Sequence, residues 1–149
     1  MPSPHISNYG AITPTTATVT LTADGYAGQR IILDRAAGIT FTLPAATGSG
    51  NVYEFIVVTT VTSNAYKIQV HNAATTIQGY ALIAQDGGDT SVMFEAADDS
   101  DTIDMNGSTR GGVKGARVVV TDVKANVWHA QVISAGTGTE ATPFAAAVS

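Results

Sequence analysis

Residues 16–23 read TATVTLTA, with threonine at every even position and Ala17, Val19, Leu21 and Ala23 between them. A period of two marks a strand that buries one face and wets the other. No other local pattern restricts the fold so strongly, and it recurs along most of the chain. Short runs of this kind, or of plain apolar residues, are predicted at 31–33, 39–43, 66–70, 77–83, 91–95, 102–105, 117–123 and 127–133. The stretch 52–61 is apolar on both faces and predicts a central strand. Between the runs lie clusters of turn residues: ADGY, DRAAG, TGSGN, QDGGD, NGSTRGG and KAN. Short strands separated by evenly spaced turns predict a sandwich or small barrel. No window carries a helical repeat with caps.

The stretch GITFTLPAATGSGNVYEF, residues 38–55, predicts a hairpin. Ile39, Phe41 and Leu43 alternate with threonine, Pro44 stops the run, and a small, flexible turn precedes the next apolar run. Glu54 is its only charged side chain, so the turn displays no acid, base or nucleophile of the kind a catalytic loop presents.

At 149 residues the chain is expected to form one domain. Its ends differ from its middle. Residues 1–14 contain Pro2, Pro4 and Pro14, and proline lacks the N–H that a ladder needs, so this segment reads as an extended arm. Residues 15–134 form the β domain. Residues 135–149 form a tail that turns apolar at Pro143, Phe144 and Val148. Free tails are usually more charged. Two readings stay open: the tail packs on its own domain, or it packs on another subunit. The residues expected to contact another protein surface are Pro2, Pro4, His5, Ile6, Tyr9, Ile12 and Pro14 in the arm, with Pro143, Phe144 and Val148 in the tail.

Charge narrows the function. Only 13% of residues are charged, against about 25% in a typical domain. That favours either a threonine-coated β domain or a surface hidden in an assembly. The seven Lys and Arg are scattered and the formal net charge is −5, so no basic stripe for nucleic acid is expected. There is no cysteine, which excludes disulfides and thiolate chemistry. The start of the sequence lacks a signal-peptide pattern, and no run reaches the ~20 apolar residues of a membrane helix. Synthesis in a cytosol is expected, with no membrane partner.

The candidate sites are weak. Asp98, Asp99, Asp101 and Asp104 could offer oxygens to calcium. However, Ile103 falls where a third ligand would stand and no glutamate closes the loop. His5, His71 and His129 show no ligand spacing. TGSG precedes a strand rather than a helix, so it lacks the N-terminus that would cradle phosphate. Trp128 shares a face with Ala130 and Val132 and reads as core. Asn106 opens an NGS sequon, which without a secretory route is simply a turn. No catalytic residue, metal or cofactor is expected, and the chain does not read as an enzyme.

LDRAAGITFTLPAATGSGNVYEFIVVTTVTSNAYKIQV and NGSTRGGVKGARVVVTDVKANVWHAQVISAGTGTEATPF together resemble the head decoration, or cement, proteins of tailed bacteriophages. The resemblance implies an all-β fold, a single antiparallel β-sandwich or small β-barrel, jelly-roll or β-tulip-like, with an N-terminal arm and a C-terminal tail. It also implies a homotrimer on the outer surface of the virion capsid, clamping neighbouring subunits of the major capsid protein. The alternative is a phage fibre or receptor-binding module that recognises host glycans through exposed aromatics. Tyr26, Tyr53, Tyr66, Tyr80 and Trp128 are the aromatics available to it.

Overall fold

The computed structural model describes residues 10–86 and 90–149. Among these residues twelve strands form two sheets. β1 (Ala11–Ile12), β3 (Arg30–Leu33), β5 (Val52–Val57), β10 (Arg117–Lys124), β11 (Val127–Ala135), β7 (Thr76–Ala84) and β8 (Ser91–Glu95) make a seven-stranded sheet, in that spatial order. β12 (Phe144–Ala145), β9 (Thr102–Met105), β6 (Tyr66–Gln69), β4 (Ile39–Thr42) and β2 (Thr18–Thr20) make the second, also in spatial order. The predicted all-β class is observed. The antiparallel expectation is corrected: β1, β3 and β5 pair in parallel, as do β2, β4 and β6, and β7 pairs in parallel with β11. Among the described residues both sheets keep two edges, so no barrel closes.

The parallel pairing follows from how the chain travels. From β1 to β6 each successive strand belongs to the other sheet, so a strand meets in its own sheet the strand two places earlier. Alternation then decides what lies between the sheets. β3 contributes Ile31 and Leu33; β5 contributes Tyr53, Phe55 and Val57; β4 contributes Ile39 and Phe41; β6 contributes Tyr66 and Ile68. These join Val118, Val120, Trp128, Ala130 and Ile103 in one continuous core. Phe41 and Phe55, from opposite sheets, meet edge to face with centroids 5.1 Å apart.

Three local expectations change. The stretch 38–55 is not a hairpin: β4 pairs with β2 and β6, β5 pairs with β3 and β10, and the TGSG segment crosses between the sheets. β5 is internal to its sheet, as predicted, but ends at Val57 and buries alternate residues only. The strand predicted over 16–23 is confined to Thr18–Thr20, because Thr22 caps a single helical turn, α1 (Ala23–Tyr26). The Thr22 hydroxyl accepts from the Gly25 amide at 3.2 Å.

The crossing segment is held by Asp122 of β10. Its carboxylate accepts from the amides of Thr47 (3.0 Å) and Gly48 (2.7 Å) and from the hydroxyls of Ser49 (2.7 Å) and Thr47 (3.3 Å). Gly48, at φ +84°, takes the left-handed conformation in this segment at little steric cost. The main chain completes the grip: Gly50 N–H donates to the Asp122 carbonyl and Asp122 N–H to that of Asn51, both at 2.9 Å. Burial alone would raise the Asp122 carboxyl. The Ser49 hydroxyl and the amides of Thr47, Gly48 and Ser49 outweigh it and hold the group below the ordinary aspartate range.

A depressed native value means that this stabilisation is complete above the unfolded aspartate value of about 3.9 and is lost as pH falls through the native one. Asp122→Asn should cost about 2–3 kcal/mol at neutral pH in urea unfolding, since an amide turns its own donors toward donors. The gap from the parent protein should narrow in acid. An unchanged gap at pH 7 and pH 3 would show that the charge contributes nothing.

Candidate functional site

The two sides of the fold differ in chemistry. On one side lie β1, the edge of the seven-stranded sheet, and β2, the edge of the five-stranded sheet. Residues 13–17 join them, a span of at most ~18 Å, which keeps both edges at one margin. From Gly10 to Thr22 the chain carries no charged side chain. Natural sheets commonly guard their edges with lysine, other charges or proline. Here the guard is Pro14 alone, half-buried between the two strands. Ile12 is half-buried in β1. Pro2, Pro4, His5, Ile6 and Tyr9 lie outside the described residues.

On the other side are β8 and β12, with β7 tied to the segment before β9 by Ile77 N–H to the Ser100 carbonyl at 2.7 Å. The tail is folded onto its own chain here. Pro143 is buried and its carbonyl accepts from the Asp104 amide at 2.7 Å. Phe144, opposite Ile103, fills the core, and Val148 packs against that core. The carboxylate of Asp101, itself buried, accepts from the amides of Ala147 (2.8 Å) and Val148 (3.1 Å) and from the Thr102 hydroxyl (2.8 Å). Of the two packings open for the tail, the structure shows the one on its own domain. The acidic turn is therefore divided: Asp101 latches the tail, and Asp104 pairs with Arg110 at 3.2 Å. Among the described residues no group of three or more His, Asp or Glu is placed to hold a metal ion.

The aromatics also separate. Tyr53, Tyr66 and Trp128 are buried, with Tyr53 against Trp128 at 5.7 Å. The Tyr66 hydroxyl donates to the Thr59 carbonyl (2.8 Å) and accepts from the Arg35 amide (3.1 Å), and burial raises its phenol above the ordinary value. Tyr26 is half-buried. Tyr80 stands 51% exposed on the outer face of β7. Two depressions meet at its ring. One, of about 350 Å³, is lined by Gln78, Tyr80, Glu95, Asp98 and His129. The other, about 210 Å³, is apolar and lined by Leu82, Met93 and Ile133. Sequence reasoning did not assemble this surface. The outward phase of Gln78 and Tyr80 can be read from inward Ile77, Ala81 and Ile83, but the neighbours across the ladder cannot.

Comparison with protein-family models, with curated proteins and with solved structures finds no match.

Phe144→Ala should cost about 3 kcal/mol in urea unfolding, the range for truncating a buried aromatic. Because Phe144 packs in its own chain, the loss should not depend on protein concentration. A concentration-dependent loss would move Phe144 into an intersubunit contact.

Proposed function

We propose that this chain is a structural protein of the tailed-phage head: a decoration protein that attaches to the outer surface of the capsid and clamps neighbouring subunits of the major capsid protein. The observation that carries this reading is the uncharged margin. Two adjacent sheet edges, β1 and β2, stand there without a charged side chain from Gly10 to Thr22, and residues 1–9 are joined to the fold at that margin. Unguarded strand edges favour pairing with another chain. An arm that starts there can reach a neighbour at up to ~3.3–3.6 Å per residue. The resemblance to cement proteins read from residues 33–70 and 106–144 points to the same role. The work of such a protein is mechanical rather than catalytic.

Attachment of this kind gains from repetition. In a homotrimer, one bound subunit raises the effective concentration of the other two at their sites, and avidity can exceed single-site affinity by ~10²–10⁴. Several modest contacts then resist separation of coat subunits under the pressure of packaged DNA. Two sheets around one core fit a sandwich of this kind, but the parallel pairs set it apart from an antiparallel jelly roll.

Co-sedimentation with undecorated capsids tests the proposal. The whole chain should bind, and light scattering should give about three times 15.2 kDa. Deleting residues 1–9, or Thr18→Lys on the exposed edge of β2, should leave the circular dichroism unchanged and weaken capsid binding at least about tenfold through lost avidity. Full binding by both variants would remove this margin from the mechanism, and no binding by the whole chain would overturn the function.

A further inference from the structure

We propose that the cleft beside Tyr80 is a binding site for a neutral or N-acetylated saccharide. Four of its side chains are set by ladder register. Tyr80 stands directly across from Glu95 in the antiparallel β7–β8 pair, and Gln78 across from His129 in the parallel β7–β11 pair. These four share the outer face of the seven-stranded sheet, and Asp98 enters from the turn after β8. The floor is main chain. Gly79 sits at φ +141°, a Cβ there would lie 1.9 Å from the Ala130 carbonyl oxygen, and its own carbonyl accepts from the Ala96 amide at 2.9 Å. The position admits only glycine, so the floor between Gln78 and Tyr80 is held in place.

The chemistry of the lining selects the ligand class. Sugar hydroxyls both donate and accept. Glu95 and Asp98 offer carboxylate acceptors, while the Gln78 amide and the His129 ring offer donors. The half-exposed Tyr80 ring offers an apolar face to the C–H face of a pyranose. A cation would use the carboxylates, the ring and the acceptor atoms of Gln78 and His129 but not their N–H donors, and arginine amide is the control for that case. Two carboxylates in one cleft disfavour sialic and uronic acids. The volume, about 350 Å³, lies at the low end of the roughly 300–1,000 Å³ of ligand pockets and suits a short saccharide unit. The site lies at the margin opposite β1 and β2, so a chain docked by its uncharged edges keeps this cleft free. The inference stands on the cleft alone and does not need the capsid reading.

The test is solution NMR of the isolated full chain. The probes are millimolar methyl glycosides of mannose, glucose, galactose and rhamnose, with N-acetylglucosamine and N-acetylgalactosamine; sialyllactose and arginine amide are the charged controls. At least one neutral sugar should give saturable amide shifts confined to Gln78–Tyr80, residues 95–98 and His129. Tyr80→Ala should weaken that binding about tenfold or more while the rest of the spectrum superimposes, because the ring lies outside the core. Glu95→Gln should reduce binding of the neutral sugar and relax the exclusion of sialyllactose. The absence of a saturable shift with every neutral sugar would overturn the proposal. So would shifts with arginine amide alone, which would make the cleft a socket for a basic side chain of a protein. Either result leaves the capsid-binding experiment unaffected.

Discussion

A buried carboxylate surrounded by neutral donors joins the two halves of this fold. Asp122 lies on β10 in the seven-stranded sheet, and the groups it binds lie in the segment arriving from β4 in the five-stranded one. Burying an unpaired charge is costly, and a salt bridge recovers that cost only with good geometry. Among the described residues the charge meets no cation but an array of amides and hydroxyls, a concave anion site of the kind that backbone N–H groups form. The exposed pair of Arg117 with Glu54, at 2.9 Å, is screened by water and is worth at most about 1 kcal/mol. The internal clasp holds the crossing, and the crossing carries β5 into place beside β3 and β10. Asp101 repeats the device on a smaller scale, with the amides of Ala147 and Val148 as donors.

The strands were legible because their information is local. Alternation at 91–95 and 102–105 gives β8 and β9 at their observed limits, and inward Trp128 follows from its phase with Ala130 and Val132. The choice of partner was not legible. Period two states which face of a strand is buried but not which sheet receives it, so residues 38–55 read equally as a hairpin or as a crossing. The threonine N-cap of α1 was present in the sequence, but one helical turn is too short to show a 3.6-residue period. Asp122 falls within a predicted strand with nothing nearby to mark it, since its partners lie 73–75 residues away.

The candidate sites show the same limit. Ile12 and Pro14 lie at the uncharged margin that composition alone suggests, and Phe144 is apolar for a reason internal to the chain. The Tyr80 surface needs three strands to exist. β7 and β11 are parallel neighbours separated by about fifty residues of chain, and β8 adds Glu95 only because it pairs antiparallel with β7. The result is a molecule with one margin suited to adding strands and another, with Glu95, Asp98 and Asp99 near β8, that is acidic and unsuited to it.

The separation of Asp122 from its donors also sets an order of events during synthesis. Chains emerge from their N-terminus at about 5–20 residues per second. The parallel rungs built from β1 to β6 involve pairings of roughly 20–30 residues, so their partners are on hand early. The amides of Thr47 and Gly48 must wait until residue 122 leaves the ribosome, several seconds later. During that interval β5 has β3 on one side and an open edge on the other, and Tyr53 lacks its Trp128 neighbour. The nascent chain is then exposed to aggregation at the strand that becomes central in the finished sheet. The arrival of β10 covers the edge and locks the crossing in a single step.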